Sequence, residues 1–488
     1  MTPMPNETTY AEQNLSGGAV CVDEPIEITP AAVAALAGVS QAHLEFVQHA
    51  VEHPEFLDRA SFSRLEEKDF RIRDPIQPWP TLVDDESNRK LGKATLDMAA
   101  VIKRIPSVIF DSDPEAISEY YHLDLSFIRH FVLETVNEHT IPGAIGRGDF
   151  IKTADKFWCL EFNMGSNLGG LWEARAWEQR MLSVPVIADY LGKKNLRVKA
   201  RNSLKLMMRH FIESTKGFAG AGGQLNIAYA LTKDELIEED RAMAGYFEED
   251  FYLALEECAP ELKGRFLTCA FSEINTEGGH VFLRGVPIHI LVEFTGGDVP
   301  LHILRCQQRG NVNIYNGPIS YLLCNKLNFA LLSEFQDAGV FTEEEQEVIR
   351  QHVPWTRRVQ ENEADFHGAD IQVLDFIREN RKQLVLKKSL SRSGYDVVAG
   401  KSATTEQWEK AIAHALFEKD WIVQEYVECP AFPYQYGNYG QCPHDVIWGT
   451  FAFGETYGGA FLRMLPRNLN SIVNASRGSV DGVVLEVS

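Results

Sequence analysis

The chain has 488 residues, 45% apolar and 24% charged, the balance of a soluble globular protein too long for one ordinary core. Its 47 Lys and Arg face 69 Asp and Glu, a net charge of −22 that argues against nucleic acid or an anionic membrane as partner but permits a local basic pocket. No apolar run is long enough to span a bilayer, MTPMPNETTYAEQ lacks the basic and apolar regions of a signal peptide, and the eight scattered cysteines form no CxxC pair. The expectation is a cytoplasmic protein of two or three domains or one large composite fold, with reduced, mostly buried thiols.

Residues before about Thr29 are polar and punctuated by Gly and Pro, a loose tail. Thr29 and Pro30 supply an N-cap and first-turn proline for a helix over 31–36, and Leu44, Val47 and Val51 stripe a second over 41–53. DPIQPWP (74–80) is a rigid, non-helical connector. Helical periodicity returns over 88–103 and 124–137.

Next comes GRGDFIKTADKFWCLEFNMGSN (146–167), two short strands around a polar turn. Alternation puts Phe157, Cys159, Glu161 and Asn163 on one face. Asp149 joins them if the connection has an odd number of residues, for example 154–156. Two carboxylates and an amide oxygen converging this way suit a hard cation such as Mg²⁺; ordinary acids on an exposed hairpin are the alternative.

Helices are expected over 171–191 and 195–215, a strand over 224–231, and an acidic helix over 232–259 capped by Thr232. Strands follow at 266–274, 280–283 and 288–294, and their alternation with helices implies an α/β layer. RGNVNIYNGPISYLLCNKLNFALLSEF (309–335) runs from a strand through an Asn/Gly/Pro turn into a helix bearing Lys326; HVPWTRRV (352–359) reads as a loop before a helix over 371–381. QLVLKK (383–388) is a buried type of strand, and Lys387 at its end is either a phosphate clamp or a lysine leaving for solvent. After a helix over 404–416, WIVQEYV (421–427) carries Gln424 and Glu425 inside an apolar strand. They find partners on a ligand or face solvent at a sheet edge. The end is β-rich: 444–453, 459–465, 471–474 and 482–487, with Arg463, Arg467 and Asn474 as candidates for phosphate contact or ligand orientation. There is no HExxH, GxSxG or Walker lysine, and GFAGAGG (217–223) precedes a strand, the wrong order for a Rossmann turn.

The order of these motifs resembles the circularly permuted ATP-grasp proteins, relatives of glutathionylspermidine synthetase-like amide ligases. In an ordinary ATP-grasp ligase the hairpin D-x(11)-E-x-N comes last; here Asp149, Glu161 and Asn163 keep its spacing near the front, and FLRMLPRNLNSIVNASRGS (461–479) ends the chain like the segment that normally precedes it. The resemblance implies an α/β fold: a helical extension (1–110), a central α/β region with the hairpin (111–310) and nucleotide-binding lobes (311–488). It implies ATP and Mg²⁺ as cofactors, with Asp149, Glu161 and Asn163 as metal ligands. Lys326, Lys387, Ser393, Gly394, Gln424 and Glu425 would hold ATP, and Arg463 and Asn474 would be catalytic. The implied reaction joins a small-molecule carboxylate, an amino acid or short peptide, to an amine through an acyl phosphate. A non-amine acceptor, or a nucleotide-binding protein without turnover, are the alternatives. The covering loop SLSRSG (389–394) departs from the family in having one glycine where several are usual.

Overall fold

Two short helices open the described chain, each beginning where a hydroxyl can cap it. Thr29 Oγ1 accepts from Ala32 N ahead of Pro30–Ala37, and Ser40 Oγ accepts from His43 N ahead of Gln41–Glu52. The computed structural model describes residues 29–53 and 76–488, apart from 155, 200, 221, 233–237, 295–297, 392–395, 436–440, 468, 470, 471 and 475–477; for 232 and 238–243 it describes the backbone only. The tail, the start of the connector, Ser393 and Gly394 therefore lie outside the described residues.

The connector leads into a strand, Thr81–Asp84, that pairs in parallel with Val484–Val487. Asp84 then caps the helix Asp85–Val108 through Ser87 N at 2.8 Å, with Asp85 and Glu86 in the first turn. Its buried face carries Leu91, Met98, Ile102 and Ile105, and Thr95 Oγ1 donates to Thr450 Oγ1 at 2.8 Å on the central sheet.

That sheet is antiparallel, in the order Val480–Gly482, Thr456–Pro466, Gln441–Phe453, Ile145–Lys152, Phe157–Asn163, with Phe432–Gln435 added along Gln441–Phe453. The hairpin near the front of the chain is thus continuous with the strands at its end. A parallel sheet, Asn313–Tyr315, Ile290–Glu293, Ile227–Thr232, Phe266–Ala270, lies between two helical layers. Ile227 and Tyr229 pack with the helix Ser203–Thr215, whereas Ala228 and Ala230 pack with Leu301–Gln308. A third sheet, Thr356–Arg358, Trp421–Glu425, Leu384–Lys388, Val397–Ala399, is antiparallel and backed by Trp408 and Ile412 of the helix Thr405–Glu418. The molecule is a mixed α/β protein.

Several elements differ from their sequence expectations. The span 171–191 is two helices, Leu171–Leu182 and Pro185–Lys193, because Pro185 has no N–H to continue the first and sits at the start of the second. Thr232 ends a strand, and the helix is described from Glu238, so the expected cap lies outside the described residues. The helix expected from 195 starts at Ser203, where Asn202 caps it, after a two-residue strand at Val198–Lys199. HVPWTRRV contains a strand, Thr356–Arg358, and the strand expected at 471–474 is replaced by Val480–Gly482. Cys159, Cys258, Cys269, Cys306, Cys324 and Cys429 are free, but Cys442 is disulfide-bonded, which corrects the all-thiol expectation. No helix among the described residues is long and apolar enough to cross a membrane.

Candidate active site

The hairpin strands are joined by four residues, an even connection, with Lys152 opposite Phe157 and Phe150 opposite Cys159. That register alone would set Asp149 against Leu160. A β-bulge at Leu160 shifts it by one, so Asp149 lies opposite Glu161 and Arg147 opposite Asn163. The bulge does what an odd turn was expected to do. It also separates Phe157 and Cys159 from Glu161 and Asn163: Cys159 packs with Phe150 in the core, on the other face.

Asp149 is 3% exposed and lies between two guanidinium groups. Arg147 Nε and Nη2 donate to its two carboxylate oxygens at 2.9 and 3.1 Å, and Arg463 Nη2 donates to Oδ2 at 2.5 Å from Thr456–Pro466, across the intervening strand Gln441–Phe453. Burial alone would lower the basicity of Arg463, but Asp149 outweighs it and holds the guanidinium above its ordinary value. Its Nε is buried with no hydrogen bond among the described residues. Glu161 Oε2 is 3.4 Å from Lys326 Nζ, and its Oε1 accepts from Asn163 Nδ2 at 3.2 Å. Burial pushes the Glu161 carboxyl up; Lys326 and Lys387 overcome that and hold it well below the usual carboxylate range.

Lys387 is 7% exposed, so it does not leave the strand for solvent. Its ammonium donates to Gln424 Oε1 at 2.7 Å and to the carbonyl of Leu160, the bulge residue, at 3.1 Å. Burial brings its pKa down to about 8, against the pull of Glu161. Gln424 lies on an interior strand and is 1% exposed; its Nε2 donates to Thr356 Oγ1 at 3.1 Å, so the solvent-facing alternative does not hold. Glu425, at the strand end, is half-buried and pairs with His367 Nε2 at 3.2 Å. Lys326 is buried: its backbone N–H donates to Ser389 O at 3.0 Å and its Nζ to Ser391 O at 3.2 Å, which ties the serine loop to the site.

These groups share one cavity of about 660 Å³, the size of a small-molecule site. It is lined by Asp149, Glu161, Asn163, Lys326, Lys387, Gln424, Glu425, Arg463 and Asn474, so the structure brings together every described candidate except Arg467. Arg467 instead pairs with Asp445 at 2.7 Å. Arg147 is a lining residue that metal-ligand spacing does not flag, although it stands two residues before Asp149 and therefore on the same strand face. Gly170 brings the loop 166–170 against Phe461: its φ is +86°, and a Cβ there would lie 2.1 Å from the ring.

Among the described residues no three His, Cys, Asp or Glu side chains form a metal cluster. The chain offers two carboxylates and one amide instead. That set is too small to enclose a hard cation and suits one that shares its coordination with phosphate oxygens. Four cationic side chains, Arg147, Lys326, Lys387 and Arg463, surround the two carboxylates, a surplus that suits an anionic ligand.

No protein-family model matches the chain, and no curated protein matches it in sequence. Solved structures do: the chain is similar to a glutathione synthetase-like effector from Globodera pallida, solved in its apo form, with a TM-score of 0.54 and 12% identity over 88% of this chain and 97% of that one. At this identity the likeness is one of fold.

Proposed function

We propose that the protein is an ATP-dependent carboxylate–amine ligase on a circularly permuted ATP-grasp scaffold, with an amino acid or short peptide among its substrates. The observation that carries this reading is the convergence in one cavity of the acidic hairpin, two buried lysines and Arg463, drawn from segments more than 300 residues apart. The fold of the glutathione synthetase-like effector supports it. In this reading residues 311–488, together with the hairpin, form the nucleotide-binding part, and 111–310 contribute the substrate side.

Asp149, Glu161 and Asn163 would hold Mg²⁺, which when bound offsets phosphate charge during transfer. Lys387 and Lys326 would offset phosphate charge, and Gln424 with Glu425 would face the nucleoside. Arg463 and Arg147 hydrogen-bond Asp149 and leave guanidinium N–H groups for an incoming carboxylate. Asn474 lines the cavity and would stand near the transferring phosphoryl group. None of these side chains acts as a covalent nucleophile; their work is positioning and charge neutralisation, which is what phosphoryl transfer to a carboxylate requires. The amine then displaces phosphate from the acyl phosphate, forming the amide.

ADP release, measured across amino acids singly and in pairs and followed by mass measurement of the product, tests the proposal. Substrate-dependent ADP with a product heavier than either substrate by the expected condensation supports it. A second reading, nucleotide binding without turnover, is favoured by the two arginines already engaging Asp149. Tight ATP binding with no ADP from any substrate pair would establish it in place of the first.

A further inference from the structure

The open end of the acidic hairpin is not closed by its own ladder. The last paired residues are Arg147 and Asn163; beyond them Ile145 and Met164 have no pairing with each other. A side chain from just beyond an edge strand of another sheet occupies that place. Asn316, 2% exposed, donates from Nδ2 to Ile145 O and to Met164 O, both at 2.7 Å, and its Oδ1 accepts from Ile145 N at 2.9 Å. Its carboxamide acts as an extra peptide rung, using both donors and its acceptor on the backbones of the two strands. Asn316 directly follows Asn313–Tyr315, the edge strand of the parallel sheet, and the chain then runs through Gly317–Ile319 and Ser320–Leu323 to Lys326. Lys326 in turn sits 3.4 Å from Glu161.

We propose that Asn316 is a positioning residue: its carboxamide clasps the hairpin ends and so sets Glu161 and Asn163 against Lys326. It touches neither nucleotide nor substrate. Its effect passes through Ile145 and Met164, which bracket the strands carrying Asp149, Glu161 and Asn163. An Asp at 316 keeps the shape but turns carboxylate oxygens toward two carbonyls; a Ser keeps polarity but is too short to reach both strands. In either case the hairpin's open end loses its register, and the ligands at that end, Glu161 and Asn163, are displaced first. Lys387 and Gln424, held on the third sheet, are not.

The inference rests on the proposed metal–nucleotide site, and the test separates the two. Mn²⁺ binding, read by electron paramagnetic resonance with adenylyl imidodiphosphate present, is compared among the unsubstituted chain, Asn316→Asp and Asn316→Ser. The expected result is Mn²⁺ affinity weakened about 10–100-fold, as for other residues that orient metal ligands, with affinity for the metal-free analogue changed by less than about threefold. Unchanged Mn²⁺ affinity in either variant, at an unchanged melting temperature, overturns the clasp. If both variants fail to fold, hydrogen exchange on the unsubstituted chain decides. An Ile145 amide as protected as the interior of the hairpin ladder supports the clasp, and exchange at the rate of an open loop overturns it. Absence of Mn²⁺–analogue binding in the unsubstituted chain would overturn the functional reading, and the exchange measurement would still judge the clasp.

Discussion

Asp149 is neutralised from two sides, which sets what its replacement does. Asp149→Asn leaves Arg147 and Arg463 close together in a buried place with no anion between them, and Glu161→Ala does the same to Lys326. Each should reduce ATP turnover by about 100-fold or more while circular dichroism stays that of the parent, because what is lost is electrostatic preorganisation and not the core. Normal turnover in both would sink the metal assignment. Lys387 gives a pH signature. A polyphosphate prefers the ammonium form, and in the free protein burial brings that lysine's pKa to about 8. Below pH 8 the cation is already present and affinity for ATP should be flat. Above it, binding must first take up a proton, so affinity should fall by up to about tenfold per pH unit until the unperturbed lysine range is reached. Lys387→Arg keeps its charge and should flatten the profile between pH 8 and 10, as read by fluorescence or calorimetric titration. A profile identical to the parent's would remove Lys387 from the phosphate site.

At the scale of elements, the bulge at Leu160 joins the hairpin to the third sheet, because the carbonyl it displaces is the one that receives Lys387. Deleting Leu160 makes the ladder regular and keeps Asp149 opposite Glu161, so the fold should survive. The lost charge-assisted hydrogen bond, about 1.5–3 kcal/mol, should raise the KM for ATP by roughly 10–100-fold. Parental KM in the deletion variant would mean that Lys387 is placed by Gln424 alone. The same bulge marks where the sequence stops being informative. Alternation placed Glu161 and Asn163 together, and the family resemblance implied their pairing with Asp149, but the expected odd turn is even and strict alternation put Cys159 on that face, because a bulge has no compositional mark in FWCLEFN. The helical expectation over 171–191 passed over the break that Pro185 imposes, and Thr356–Arg358 was not legible, because a three-residue strand of one threonine and two arginines carries no period. Gln424 illustrates the general limit. Its polarity inside an apolar strand announced a need for partners, but only the sheet order supplied Thr356 on one side and Lys387 on the other.

For the whole molecule, the parallel pair of Thr81–Asp84 with Val484–Val487 binds early chain to late chain, and Leu485 is fully buried there. Leu485→Ala should cost about 2–5 kcal/mol in denaturant unfolding, the range for a large buried aliphatic residue; a loss below 0.5 kcal/mol would mean that this strand is peripheral to the fold. The net charge of −22 is no obstacle to an anion site, since the four cations around the hairpin act at contact distance, where charge elsewhere is largely screened. The sheet that unites the hairpin with the terminal strands also imposes a schedule. Asp149 and Arg463 are 314 positions apart. At synthesis rates of about 5–20 residues per second, the hairpin emerges from the ribosome roughly 15–60 s before the strand that carries Arg463. Throughout that interval one edge of Ile145–Lys152 lacks its neighbour Gln441–Phe453, and the apolar face holding Phe150 lacks its cover. A nascent chain of this protein must therefore shelter an unpaired edge for most of its own synthesis, and an assembled site cannot exist on any shorter intermediate.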